Sequence, residues 1–353
     1  MEYVTRMGDG RTVFMTKEQI YEDIMAGMAD GVDAAGVPDL TQDDIDQIQD
    51  IICDKNRVVS VERGKEVILT EDGGPHKFIL DSGSCCNGVE MGRIDTMEVI
   101  ERAIGFDTFE LTTTDYSIKP VKPIVGPEMT AMQQAAMRMT VPTLYGAMPN
   151  MGLYYAPDGA HLNPADLMRE FRIEEAQKNA EAAAEQLSRD IVYVSESMIS
   201  AGADGFNFDT TASAGDAEFV ATLKGVEQLR KNNPNAYITM GMSAENVLGI
   251  HGEIEYDGKV VAGLYPNEQV KLCEKAGANI FGAVVNCNTS RSFAWNVARA
   301  AVIIKDCVKN SNIPVHANMG MGVGGVPMLE TPPIDCVTRA SKVMAEIAGV
   351  DGI

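Results

Sequence analysis

The stretch AGVDGI (residues 348–353) repeats a pattern that occurs three times earlier in the chain. Each copy follows an amphipathic helical pattern and places a glycine after a small or apolar residue. Glycine suits a helix end because the residue after the last turn commonly takes a left-handed conformation. The earlier copies continue into apolar segments, so the pattern predicts a helix end, a short loop and a buried strand. These copies are IGFDTF (104–109), AGADGF (201–206) and AGANIF (276–281).

Strands of a second kind, each ending in a bend rich in Met and Gly, alternate with these copies. They are TVPTLYGAM (140–148), NAYITMGM (235–242) and IPVHANMGM (313–321). Short apolar strands that alternate with helices predict a parallel α/β sheet. We predict strands at 106–112, 142–148, 204–210, 236–242, 279–286 and 313–319. We predict helices at 127–139, 164–200, 216–232, 266–276, 290–309 and 332–348.

Six complete strands and the start of a seventh, all connected through helices, predict a (β/α)8 TIM-type barrel. The alternative is a doubly wound sheet, which usually carries a glycine-rich dinucleotide loop after its first strand. The segment TFELTTTDYSIKP (108–120) is no such loop. We therefore expect residues 104–353 to form an incomplete barrel that is truncated within strand seven, which begins at Asp351. Residues 1–103 are expected to form an N-terminal α+β extension packed on the barrel.

The composition excludes several classes of protein. The chain has 353 residues and a formal net charge of −22, and its basic residues form no stripe of the kind that nucleic acid requires. No segment approaches the roughly 20 apolar residues that span a bilayer, and the N-terminus lacks the apolar segment of a signal peptide. Seven irregularly spaced cysteines favour reduced thiols. These features predict a cytoplasmic protein and leave its oligomeric state open, a homo-oligomer included.

Acidic side chains stand at three of the predicted strand ends: Glu110, Asp209 and Glu245. Barrel enzymes carry their chemistry at these ends, and converging carboxylates suit a cationic substrate or proton transfer around one. A helix-capping role is an equally good explanation for Glu245 taken singly. Neither a lysine nor a metal-binding cluster accompanies them, which argues against a barrel aldolase or lyase. The four histidines are scattered, and we interpret each as a hydrogen-bonded structural residue.

Six longer motifs resemble the dimethylamine:corrinoid protein methyltransferases of methanogenic archaea, which contain pyrrolysine. The resemblance extends from Met1 to Ile353 and does not depend on short generic motifs. The motifs are RMGDGR (6–11), DYSIKPVKP (115–123), YGAMPNMGLYYAPDG (145–159), ADGFNFDTT (203–211), NMGMGVGGVPMLETPPIDCVTRASK (318–342) and IAGVDGI (347–353).

The resemblance implies an enzyme of methanogenesis that transfers a methyl group from dimethylamine to the cobalt(I) of a separate corrinoid protein and releases monomethylamine. It also implies pyrrolysine immediately after Ile353, encoded by an in-frame amber codon. We expect no cofactor on this chain, because Gly249 and Ile254 stand where a D-x-H-x-x-G corrinoid loop around His251 would need Asp and Gly. The partners expected are the cognate corrinoid protein and dimethylamine, with no nucleic acid and no membrane. The alternatives are a trimethylamine, monomethylamine or quaternary-amine enzyme, or an inactive amber-terminated fragment.

Dimethylamine is mostly a cation at neutral pH, and it must lose a proton before its nitrogen can act as a nucleophile. We therefore predict that Glu110, Asp209 and Glu245 bind the substrate and transfer protons. These roles rest on the positions of the residues at strand ends. Weaker candidates for lining the pocket are Tyr145, Asn286 and Asn318.

Overall fold

The computed structural model describes most of the chain outside an internal segment. The described residues are 2–67, 76–79, 88–91, 144–147, 149, 151–250, 252–329 and 332–353. The chain divides into two compact units, of which one comprises residues 1–68 and 144–353 and the other residues 69–143. In the second unit, β3 (His76–Ile79) and β4 (Gly88–Met91) form an antiparallel pair. The predicted strand at 106–112 and the predicted boundary at 103 lie outside the described residues.

The first unit begins with an antiparallel hairpin of β1 (Glu2–Arg6) and β2 (Thr12–Thr16), followed by α1 (Lys17–Ala35) and α2 (Gln42–Ile52). Thr16 and Thr41 cap the two helices, and each forms a reciprocal capping box with the residue three positions later. Such boxes satisfy backbone N–H groups that a helix start leaves unpaired. The two threonines therefore set the residues at which α1 and α2 begin.

A five-stranded parallel sheet forms the centre of the first unit. Its strands are β5 (Leu144–Ala147), β6 (Gly205–Thr211), β7 (Tyr237–Met242), β10 (Ile280–Ala283) and β11 (Val315–Ala317). They lie side by side in the order in which they occur along the chain. A small hairpin of β8 (Glu255–Tyr256) and β9 (Lys259–Val260) interrupts the connection after β7.

Helices connect the strands. They are α3 (Pro164–Arg169), α4 (Ile173–Ser200), α5 (Asp216–Asn232), α6 (Pro266–Ala276), α7 (Phe293–Lys309) and α8 (Ile334–Val343), the last extended by a π-helical turn at Met344–Ala348. Neighbouring helices pack in chain order from α4 to α8, and α1 lies against α7. Within the described ranges, no helix combines the length and the apolar character needed to cross a membrane.

The segment after α8 extends the parallel pairing beyond β11. His316 forms a parallel bridge with Gly352, and the N–H of Asp351 donates to the carbonyl oxygen of Val315 at 2.8 Å. The mixed α/β class with a parallel sheet is therefore confirmed. Closure into a barrel and truncation within strand seven remain predictions.

The two faces of the sheet differ in chemistry. One row across it consists of Phe208, Met240, Phe281 and Val315, each at most 1% exposed. These side chains belong to the same hydrophobic core as the apolar faces of the helices. Because side chains alternate between faces along a strand, the next row lies on the opposite face. That row contains polar residues and glycines.

Candidate functional site

A β-bulge presents Asp209 at the carboxyl end of β6. The register of β6 against β7 shifts between Phe208 and Thr211, so one extra residue is accommodated there. Thr210 has a φ of 55°, a left-handed conformation that is rare for a β-branched residue. Its N–H donates to Oδ1 of Asp209 at 2.6 Å. Bulges commonly redirect side chains beside active sites, and local strain of this kind concentrates at such sites.

Two glycines make room for Asp209 and for His316. Gly241 of β7 and Gly282 of β10 are paired in register. A Cβ atom on Gly241 would lie 3.0 Å from Oδ1 of Asp209, and a Cβ on Gly282 would lie 2.7 Å from Nε2 of His316. The carboxylate therefore lies over β7 and the imidazole over β10. Any side chain larger than glycine would displace one of these two groups.

His316 is buried, and its imidazole is neutral at neutral pH. It is 6% exposed, and burial lowers its pKa while the nearby charge of Asp209 partly opposes this effect. Its Nδ1 atom is buried and has no hydrogen-bond partner in the described part of the chain. A neutral imidazole has one nitrogen that donates and one that accepts. The ring consequently has unused hydrogen-bonding capacity beside a carboxylate.

The sequence interpretation gave His316 no role in the site. The available signal was the period of two in the strand: Val315 and Ala317 are apolar and buried on one face, so His316 between them lies on the other. The same alternation places His316 in the row of Gly282.

Glu245, which follows β7, is held by a buried arginine. Arg299 of α7 contacts both carboxylate oxygens, with Nη1 to Oε2 at 2.5 Å and Nη2 to Oε1 at 2.8 Å. Its Nε donates to Asp30 of α1 at 2.6 Å. Burial works to lower the pKa of Arg299, but the bonds to Glu245 and Asp30 outweigh it and raise the pKa. Both oxygens of Glu245 thus already accept hydrogen bonds from a cation, which favours a positioning role.

The remaining predicted site residues do not share the surroundings of Asp209 or Glu245. Asn286 is exposed, and its Oδ1 accepts from the N–H of Glu245 at 3.1 Å. Asn318 is half-buried just after β11, and its N–H donates to the carbonyl of Ala283. The backbone of Tyr145 pairs with that of Phe206 in the sheet. Glu110 lies outside the described residues. The catalytic and binding roles of these residues remain predictions.

Two carboxyl groups are buried at the start of α5, next to the loop that follows Asp209. Asp216 is 2% exposed and Glu218 is fully buried. The hydroxyl of Ser213 donates to Oε1 of Glu218 at 3.0 Å, whereas Oε2 has no partner among the residues described. Burial raises the pKa of Glu218, and these hydrogen bonds only partly offset it.

Glu218→Gln is expected to raise the stability of the protein above that of the wild type at pH 8, and to raise it less at pH 4. Because the pKa of Glu218 is higher in the folded than in the unfolded state, the folded protein binds more protons than the unfolded chain between these two pKa values. The stability of the wild type therefore falls as the pH rises from the unfolded-state pKa through the folded-state pKa. Glutamine does not titrate, so the variant does not lose this stability as the pH rises. A change of about 1 kcal/mol would shift Tm by about 1–2 °C in a chain of 353 residues, which thermal melts at both pH values would detect.

Glu227→Gln on the same helix is the matched control. The hydrogen bond from Lys231 lowers the pKa of Glu227, so this variant is expected to lose stability at neutral pH and to differ less from the wild type in acid. Equal pH dependence in the two variants would contradict the assignment of Glu218.

The comparison with known families gives one match. The family model described as Dimethylamine methyltransferase (Dimeth_PyL) matches residues 1–353. No solved structure matches the chain. No set of three or more His, Cys, Asp and Glu side chains in the described ranges could hold a metal ion.

Proposed function

Because the chain belongs to the dimethylamine methyltransferase family, we propose that this methyltransferase transfers one methyl group from dimethylamine to the cobalt(I) of a separate corrinoid protein and releases monomethylamine. The family match over the whole chain is the observation that carries the proposal. Methanogenesis from methylamines and a cytoplasmic location belong to the same proposal. The five free cysteines of the described residues are consistent with that location.

The strand order supports a (β/α)8 barrel as the framework. A doubly wound sheet reverses its strand order at a switch point, whereas the five parallel strands here run in chain order. In barrel enzymes the active site lies at the carboxyl ends of the strands. Asp209 and His316 lie close to those ends, two residues before the end of β6 and one residue before the end of β11. We propose that this row forms part of the substrate pocket.

Asp209 has the chemistry to bind dimethylammonium. Its half-buried carboxylate can accept hydrogen bonds from the N–H groups of the cation and neutralise its charge. Glu110 remains the other proposed catalytic carboxylate. For Glu245, which was predicted alongside it, the contacts with Arg299 favour a role in holding the loop after β7. Further proposed pocket residues are Tyr145, Asn286 and Asn318.

The resemblance implies pyrrolysine directly after Ile353, and we include that residue in the proposal. When present, its imine supplies the electrophile for the amine. The surroundings fit such a group, because Gly352 pairs with His316 and therefore lies beside the row that contains Asp209. The residues of this chain would bind the ammonium ion, orient its nitrogen and accept its proton. The corrinoid is assigned to the partner protein.

The test is methyl transfer with defined components. The gene product is expressed with pyrrolysine insertion at amber codons and mixed with the cobalt(I) form of the corrinoid protein. We expect methylcobalt absorbance with dimethylamine, release of monomethylamine, and no corrinoid absorbance from the isolated protein. Methyl transfer from trimethylamine or monomethylamine alone, or a stoichiometric corrinoid spectrum in the isolated protein, would contradict the proposal. Full activity without pyrrolysine would contradict its proposed part in the reaction.

A further inference from the structure

The row across the sheet holds two hydrogen-bonding side chains above adjacent strands. Asp209 reaches over Gly241 and His316 reaches over Gly282, and the two glycines are adjacent in the sheet. Adjacent strands are about 4.8 Å apart. The carboxylate and the imidazole therefore lie above neighbouring strands on the polar face of the sheet, close enough for one small cation to contact both.

The number of N–H groups distinguishes the methylammonium ions from one another. Dimethylammonium has two N–H hydrogens, trimethylammonium has one and monomethylammonium has three. An ionised carboxylate can only accept hydrogen bonds, and a neutral imidazole offers one accepting nitrogen. A carboxylate beside one accepting imidazole nitrogen can engage both N–H hydrogens of dimethylammonium, whereas the single N–H of trimethylammonium can reach only one of the two groups.

We propose that Asp209 and His316 select the secondary over the tertiary ammonium ion by each accepting one of its two N–H hydrogens. Trimethylammonium, which has a single N–H hydrogen, leaves the imidazole without a donor. A buried polar group that lacks a partner is penalised. A site that pairs a substrate N–H discriminates more strongly than a pocket that measures a single methyl group. This inference rests on the proposed function.

The buried state of His316 supports its role as an acceptor. The ring is 6% exposed and its Nδ1 has no partner in the described part of the chain. Burial lowers the pKa of the ring, and Asp209 is the charged group that opposes this shift. The imidazole therefore remains neutral at neutral pH, as acceptance from an ammonium ion requires. A protonated ring could not accept this hydrogen bond and would repel the cation.

The test compares the binding of two cations by calorimetry at pH 7.5, with dimethylammonium chloride and trimethylammonium chloride as probes. His316→Leu is expected to weaken dimethylammonium binding about 10–100-fold. Trimethylammonium binding should change less than about threefold, because this cation can donate only to Asp209. His316→Gln, which keeps an accepting oxygen, should recover most of the dimethylammonium affinity.

The change in the ratio of the two affinities is the decisive result, because loss of folded protein would lower both affinities together. His161→Leu is the matched control, since His161 lies outside the sheet in the segment between β5 and α3, and it should leave both affinities unchanged. Equal losses for the two cations, or no loss for either, would overturn the inference. A wild-type protein that binds no dimethylammonium and transfers no methyl group would overturn the proposed function as well.

Discussion

Asp209→Asn is expected to reduce kcat/KM for methyl transfer from dimethylamine by about 10²–10⁴-fold, the usual contribution of a general acid–base group. Asparagine keeps the shape of the side chain but removes the charge that attracts the cation and the basicity that receives its proton. The backbone contact from Thr210 can persist, because the amide oxygen still accepts. Steady-state methylation of the corrinoid protein measures the effect.

Two further variants test whether position decides the result. Asp204→Asn makes the same substitution just before β6, at the opposite end of the strand, and should leave kcat/KM unchanged. Gly241→Ala adds a Cβ atom 3.0 Å from Oδ1 of Asp209 and should lower kcat/KM by displacing the carboxylate. If Asp209→Asn retains wild-type turnover, Asp209 does not belong to the active site.

The helices were predictable because local signals and the hydrophobic pattern agree. The predicted bounds of α5 and α6 coincide with those observed, at 216–232 and 266–276. In α6, Pro266 stands in the first turn and Gly277 follows the last with a φ of 107°, the residues preferred at these two positions. The predicted helix at 164–200 forms instead as α3 and α4, separated at Phe171, which has a φ of 58°. A phenylalanine gives no sequence signal for such a break.

The site depended on contacts between distant segments, which a single sequence does not encode locally. Asp209 was selected as the last acidic residue of a strand, but nothing in its neighbours predicts the bulge at Thr210. His316 is separated from Asp209 by more than a hundred positions, and the sheet order brings them into one row. Glu245 was selected by the same rule as Asp209, yet its environment is different because Arg299 projects from α7 towards it.

Glu245→Gln is expected to lower the free energy of unfolding by about 3–5 kcal/mol, the usual result of removing one partner from a buried ion pair. The side chains of Arg299 and Glu245 are only 8% and 16% exposed. Without the carboxylate, the acidic partner left to Arg299 among the described residues is Asp30, which is half-exposed. Urea unfolding monitored by circular dichroism measures the loss. Asp30→Asn is the control, and its cost should stay near that of a surface pair, up to about 1 kcal/mol.

The double variant Glu245→Gln with Arg299→Met separates positioning from proton transfer. Replacing both members of a buried pair is often close to neutral, because no uncompensated charge remains. Glutamine also keeps an oxygen that can accept from the N–H of Asn286, as Oε2 of Glu245 does at 3.0 Å. We therefore expect stability to recover, and methyl transfer to recover with it, since both oxygens of Glu245 are occupied by the guanidinium. A double variant that recovers its stability but stays at least about tenfold slower would contradict this expectation and assign proton transfer to Glu245.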